Sequence, residues 1–409
     1  MTAENKPPRI DWLSGIRVLL IAHYIPGPLA AFLLKALGAE IIKIEPPQFD
    51  YMRKLPPFIS GKKGRISAYF HAINQGFQSI VVDFKKKGGV DVLSDLIRKC
   101  DILIDGNRAD FLTDILGGKI SELNSEIVHL PITAFGLHGP LKKMAGHDNN
   151  ILSMSGVLSY TPITDEKTAS VFSVQIADIT AGYLAALMAV ASALGKKNAK
   201  SSFRADTVDV SMLHAAFFLN QIYLSALNAT GRSPLPGKEL LNGGLPNYRM
   251  YLTRDCKSVF FGPIEPNLFK NFCVRSGRED LIALDGKDAE KLTAELKKLI
   301  GSKALFEWEQ LLSGCDCCFT AVSSLEEAAG NEQINHLGLV REVKDEEYGV
   351  LKLSGFPAGF TDQSLQPEMA ESAPEPGQHT REILKNTLGY QDELVARLVE
   401  EKAVSVYVP

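Results

Sequence analysis

Residues 13–47 read LSGIRVLLIAHYIPGPLAAFLLKALGAEIIKIEPP, and this stretch decides the fold class. Ile16–Ile21 (IRVLLI) is a short apolar, β-branched run that predicts a strand. Pro28–Leu37 (PLAAFLLKAL) is built from helix formers and closed by Gly38, so it predicts a helix. Glu40–Ile44 (EIIKI) predicts the next strand, stopped by Pro46 and Pro47. The cycle recurs with Ser79–Phe84, Gly89–Lys99 and Ile102–Asp105, and a further strand follows at Ile127–Thr133. Strand, helix and strand at this spacing imply right-handed βαβ units in a parallel sheet. Ligands of such sheets bind in the loops beyond the carboxyl ends of the strands. Those loops are His23–Gly27, Gly106–Arg108 and Phe135–Asp148.

At 409 residues the chain is long enough for two domains. A net charge of -4 carries no polyanion-binding signature, which argues against nucleic acid as a partner. The first residues lack a basic segment followed by an apolar one, so a cytoplasmic location is expected. No uninterrupted apolar run reaches membrane-spanning length. The longest, around residues 179–194, contains Thr180, Gly182 and Tyr183, and reads as a buried helix. Cys315, Cys317 and Cys318 lie close together, but zinc needs a second Cys or His pair, and none lies nearby. Buried, reduced thiols are the expected state, with no metal. No glycine fingerprint for dinucleotide or phosphate-loop binding follows a strand. Further on, 231–246 is a Gly- and Pro-rich loop, 248–262 reads as a strand pair, and 339–353 as a hairpin. Residues 380–403 read as an amphipathic helix pair.

The residues AGHDNNILSMSGVLS form a polar cluster entering an apolar segment at His147 and Asp148. Taken alone, the cluster reads first as a helix N-cap, in which Asp or Asn satisfies free backbone N–H groups. Asp178 before TAGYLAAL reads alone as a helix cap, and Glu265 before Pro266 as an exposed loop acid.

Together, the opening strand–GP–helix–LGAE–strand pattern, INQGFQSIVVDFKKKGG, CDILIDGNR, ITAFGLHGP, IADITAGYLAAL, VDVSML, SSLEEAAGNEQINHLGLV and PGQHTREILKNTLGY resemble the family III CoA-transferases. The resemblance runs in order over nearly the whole chain and is stronger to the α-methylacyl-CoA racemases of the same superfamily. It implies a Rossmann-like α/β domain that binds coenzyme A (CoA), formed by residues 1–228 and 335–409. It also implies a smaller α+β domain at 229–334 and an interlocked homodimer. The substrate it implies is an acyl-CoA thioester, with no separate cofactor and no membrane partner. Racemases carry Gly-His-Asp, which His147 matches as one catalytic base; Asp178 matches the second base, and Glu265 the residue that orients the histidine. Inverting a carbon needs one base on each face, one taking a proton while the other gives one. Transferases carry a nucleophilic aspartate, which Asp148 matches, and which forms an acyl anhydride. A third class, a homologue turned to another ligand or partner, also fits the departures below.

The departures concern CoA phosphates. The arginine expected after Glu45 is Pro46, and Gln75, Phe77 and Gln78 replace an expected basic pair. Asn107 and Arg108 match the family's loop, and Lys142 and Lys143 stand where they can compensate. These four are the expected contacts to the CoA moiety.

Overall fold

The computed structural model describes residues 10–407, apart from 63, 162–170, 199–206, 363–364, 366 and 368–371. Two compact units make up the chain: residues 1–155, 172–219 and 332–409 in the first, and 156–171 and 220–331 in the second. The expected small domain at 229–334 therefore begins earlier and gains a detached segment. Tyr160 shows why: its ring packs on Tyr223 at 4.5 Å, and its hydroxyl donates to Asn220 Oδ1 at 2.7 Å.

In the first unit, β1 (Arg17–Ile21), α1 (Pro26–Ala36) and β2 (Glu40–Glu45) form the opening βαβ unit. Val18, Leu19 and Leu20 are fully buried, as a parallel strand covered on both faces requires. Pro26 supplies the fixed φ of a first helical turn, and Gly38 takes the left-handed conformation (φ 101°) just past the end. The sheet runs in the order Val404–Ser405, Gln78–Val82, β2, β1, Ile102–Asp105, Val128–Pro131. All its pairings are parallel except the first, which is antiparallel. Leu19, Ile42, Ile80 and Leu103 form its core with Leu93 and Ile97 of the helix Lys87–Lys99. The chain leaves β1 toward β2 on one side and later returns to the other side with Ile102–Asp105. The order reverses between those two strands, and a crevice opens there.

The second unit has its own three-stranded antiparallel sheet, with Ser258–Phe261 between Arg249–Leu252 and Phe319–Ala321. Phe261, Phe269, Phe272 and Trp308 fill its core, and the Trp308 indole donates to the Ile300 carbonyl at 2.9 Å. The expected strand pair and the hairpin Val340–Asp345 with Gly349–Ser354 are present.

Two further expectations change. The tail is not a simple helix pair: Thr380–Glu382 runs into a wide turn, Ile383–Thr387, followed by the helix Asp392–Glu400. Val404–Ser405 then caps the sheet edge. The helix Ile176–Asn198 is long and apolar enough to cross a membrane by length and composition, and it is only partly buried. Its small residues Ala181, Gly182 and Ala185 are buried, and a Cβ on Gly182 would lie 3.0 Å from the Pro26 carbonyl. Its larger Leu187 and Leu194 face outward. A stripe of small residues lets two helices approach closely, so here the large apolar groups are the exposed ones.

Candidate active site

A cavity of about 1010 Å³ lies in the first unit at the reversal point. The loops after three strands line it: Ala22–Gly27 after β1, Gly106–Arg108 after Ile102–Asp105, and Ile132–Ala134 after Val128–Pro131. Two glycines let these loops close in. A Cβ on Gly27 would stand 2.4 Å from the Ala22 Cβ, and one on Gly106 would stand 2.7 Å from it. His147 and Asp178 both line this cavity, although 31 positions separate them in sequence.

Asp148 links the two segments that carry them. It opens the helix Asp148–Met154 and is 4% exposed, yet its carboxylate serves a different helix. Oδ1 accepts the backbone N–H of Ala177 at 2.7 Å and of Asp178 at 3.0 Å. Free N–H groups at a helix start attract an anion, so this carboxylate holds the start of Ile176–Asn198 against His147. Asp148 itself does not line the cavity, and its Oδ2 is buried without a hydrogen-bond partner. Burial raises the Asp148 pKa, and the two N–H donors from Asp178 and Ala177 draw it back in part. Asp178 is pushed up to about 7, first by burial and then by the Asp148 charge. A carboxyl group titrating there is base and acid in comparable amounts at neutral pH. His147 heads the Asp148 helix, where its N–H donates to Asn150 Oδ1 at 3.0 Å, and its ring faces Tyr24.

Of the four expected CoA contacts, Asn107, Arg108 and Lys142 line the cavity and Lys143 does not. Asn107 uses its amide to tie its own loop, donating to Ile21 O at 3.2 Å and Asp105 Oδ1 at 2.7 Å. Lys142 and Lys143 converge on the Asp110 carboxylate at 3.1 and 3.7 Å, so part of their charge is already answered. Arg108 makes no ion pair among the described residues and is the freer cation. It also borders a second hollow of about 340 Å³, beside Lys119, His129 and His138. The departures hold structure instead of phosphate. Gln75 accepts from Arg341, Phe77 is buried, and Glu45 accepts from Arg53 Nε and Nη2, each at 2.8 Å.

Glu265 belongs to the second unit, where it precedes the helix Pro266–Ser276, and it is not among the residues lining the cavity. No group of three His, Cys, Asp or Glu side chains among the described residues could hold a metal ion. The six cysteines are free, and burial pushes Cys317 up to about 12, away from reactive thiolate. The sequence marked the His23–Gly27 loop by position but did not single out His23, Tyr24 or the buried Lys43–Asp50 pair beneath them. Lys43 stands in the apolar run EIIKI, but no local signal around Asp50 pointed to the pair.

A family model described as CoA-transferase family III matches residues 13–380. The alpha-methylacyl-CoA racemase of Mus musculus is 26% identical over 398 residues, covering 96% of this chain and 97% of the relative. Succinyl-CoA:glutarate CoA-transferase of Mus musculus is also 26% identical, over 403 residues covering 95% and 89%. Among solved structures, a CAIB/BAIF family protein from Brucella suis superposes with a TM-score of 0.77 at 22% identity. That superposition covers 92% of this chain and 99% of the other, and it supports the fold alone.

Proposed function

Because the chain belongs to CoA-transferase family III, we propose that it inverts the carbon beside the carbonyl of an acyl-CoA thioester. The proton moves through His147 and Asp178. One observation carries this reading: both side chains line one cavity, whereas Asp148 is turned away to hold the helix that bears Asp178. A thioester makes its α-proton acidic, and a base held in contact removes it. One of the two groups takes that proton while the other, on the opposite face, returns one. Arg108 and Lys142 at the same cavity are the assigned contacts to CoA phosphates. A homodimer is part of the proposal. It is supported by the outward Leu187 and Leu194 and by exposed Phe218 at the end of the helix Met212–Phe218. Incubation with an (R)-2-methylacyl-CoA in deuterated water should wash deuterium into C2 and yield both epimers. Absence of exchange at stoichiometric protein would end this reading.

A second reading is favoured by one atom. Asp148 Oδ2 has no hydrogen-bond partner among the described residues, so one carboxylate oxygen is left uncommitted. In a CoA-transferase it would attack the thioester carbonyl, the C–S bond would break, and CoA would leave as thiolate with an anhydride on Asp148. The two readings diverge for Asp148→Asn, which keeps an acceptor for the Ala177 and Asp178 N–H groups. Proton transfer predicts that most deuterium exchange survives and that mass spectrometry finds no hydroxylamine-sensitive acyl adduct on the native chain. Acyl transfer predicts the adduct and a dead variant.

A further inference from the structure

Beside the cavity lie a buried ion pair and a strained tyrosine that take no part in the chemistry above. Lys43 on β2 is fully buried, and its ammonium donates to Asp50 Oδ2 at 2.7 Å, Asn74 Oδ1 at 3.0 Å and the Ala22 carbonyl at 3.2 Å. The same Asp50 oxygen stands 3.6 Å from His23 Nδ1. Ala22 is thus tied by its carbonyl, with the His23 ring close to the same carboxylate, and the residue that follows them is Tyr24. Tyr24 sits at φ 61°, a left-handed conformation that L side chains rarely adopt. Such strain persists where the surroundings over-determine the backbone, and it gathers at working sites. Its ring meets the His147 imidazole edge-on, with centroids 5.8 Å apart and planes at 79°, and Tyr51 backs it at 6.0 Å.

We propose that Tyr24 is a positioning residue for His147, aimed by a turn that the buried Lys43–Asp50 pair locks. Edge-to-face rings favour one relative orientation, so the tyrosine selects the imidazole rotamer that faces the cavity. The inference rests on His147 as a proton-transfer group, and the ring contact is testable apart from that role.

Two variants separate ring from backbone. Tyr24→Phe keeps the ring and drops the hydroxyl; Tyr24→Asn tolerates the left-handed turn and removes the ring. Histidine ring carbon–proton spectra of the ligand-free, full-length protein give the first readout, with the His147 signal assigned by its loss in His147→Gln. That signal should keep its position in Tyr24→Phe and move toward that of an unpacked histidine in Tyr24→Asn, while the His129 signal stays fixed. In deuterium exchange, kcat should fall about two- to tenfold in Tyr24→Asn with KM held, and Tyr24→Phe should restore it. An unmoved His147 signal in all variants overturns the proposal. So does a change in KM alone, or a Phe variant as slow as the Asn variant. If the native protein exchanges no deuterium yet the signal still moves in Tyr24→Asn, the racemase reading falls and the positioning stands.

Discussion

Asp178→Asn is expected to lower deuterium exchange at C2 by about 10²- to 10⁴-fold while making the folded protein more stable at pH 8. The activity loss follows because an amide neither takes nor returns the proton on its face of the substrate. The stability gain follows from linkage. Burial and the Asp148 charge raise the Asp178 carboxyl from 3.8 to about 7. Between those values the folded chain binds more protons than the unfolded one, so stability falls as pH rises through that window. The penalty is absent below about pH 4 and complete above about pH 7, where it is on the order of 2–4 kcal/mol. Asparagine carries no charge and escapes it. Urea unfolding should therefore show native and variant nearly equal at pH 4 and the variant ahead at pH 8. An equal difference at both pH values would mean that Asp178 is not the perturbed group. An active variant would remove it from the proton path.

That trade of stability for chemistry was only partly legible in the sequence. The βαβ runs were plain because strands buried on both faces read as continuous apolar runs, as Val18–Ile21 does. The ligand-bearing loops could be placed beyond the carboxyl ends of those strands, whereas the reversal point needed the strand order that the folded sheet supplies. The roles proposed for His147 and Asp178 rest on resemblance, and periodicity carried no trace of them. What joins them is a carboxylate accepting backbone N–H groups about thirty residues later, a contact no local pattern encodes. Lys43 was hidden for another reason. In EIIKI it sits where an alternating strand would show a solvated lysine, and only Asp50 and Asn74, folded over it, allow its burial. Val404–Ser405 is too short to carry a pattern. The outward face of the Ile176 helix was misread because overall apolarity does not tell which residues face a neighbour.

The second large effect is expected at that lysine. Lys43→Met should destabilise the protein at pH 8 by about 3–5 kcal/mol, because removing one partner leaves a buried charge uncompensated. Burial alone would raise the Asp50 pKa. The Lys43 ammonium, with His23 next, outweighs burial and holds the carboxyl well below the usual range. In the native protein the pair's contribution is present above the unfolded carboxylate's pKa of about 3.9 and is lost only as pH falls through the depressed folded value. In Lys43→Met the stranded carboxyl can instead take a proton as pH falls, so the deficit should narrow from pH 8 to pH 4.5. Urea titrations at the two pH values read this directly; a Met variant as stable as the native protein at pH 8 would show that the pair holds nothing. Adding Asp50→Asn removes the stranded charge and keeps an acceptor for the Met52 N–H, which Asp50 Oδ1 now binds at 2.9 Å. The double variant should regain most of the stability, since replacing both charges is far less costly than removing one. It should not regain the exchange rate, because a methionine at 43 no longer donates to the Ala22 carbonyl that fixes the turn. A stable but slow double variant would separate the pair's service to the fold from its service to the turn that carries Tyr24.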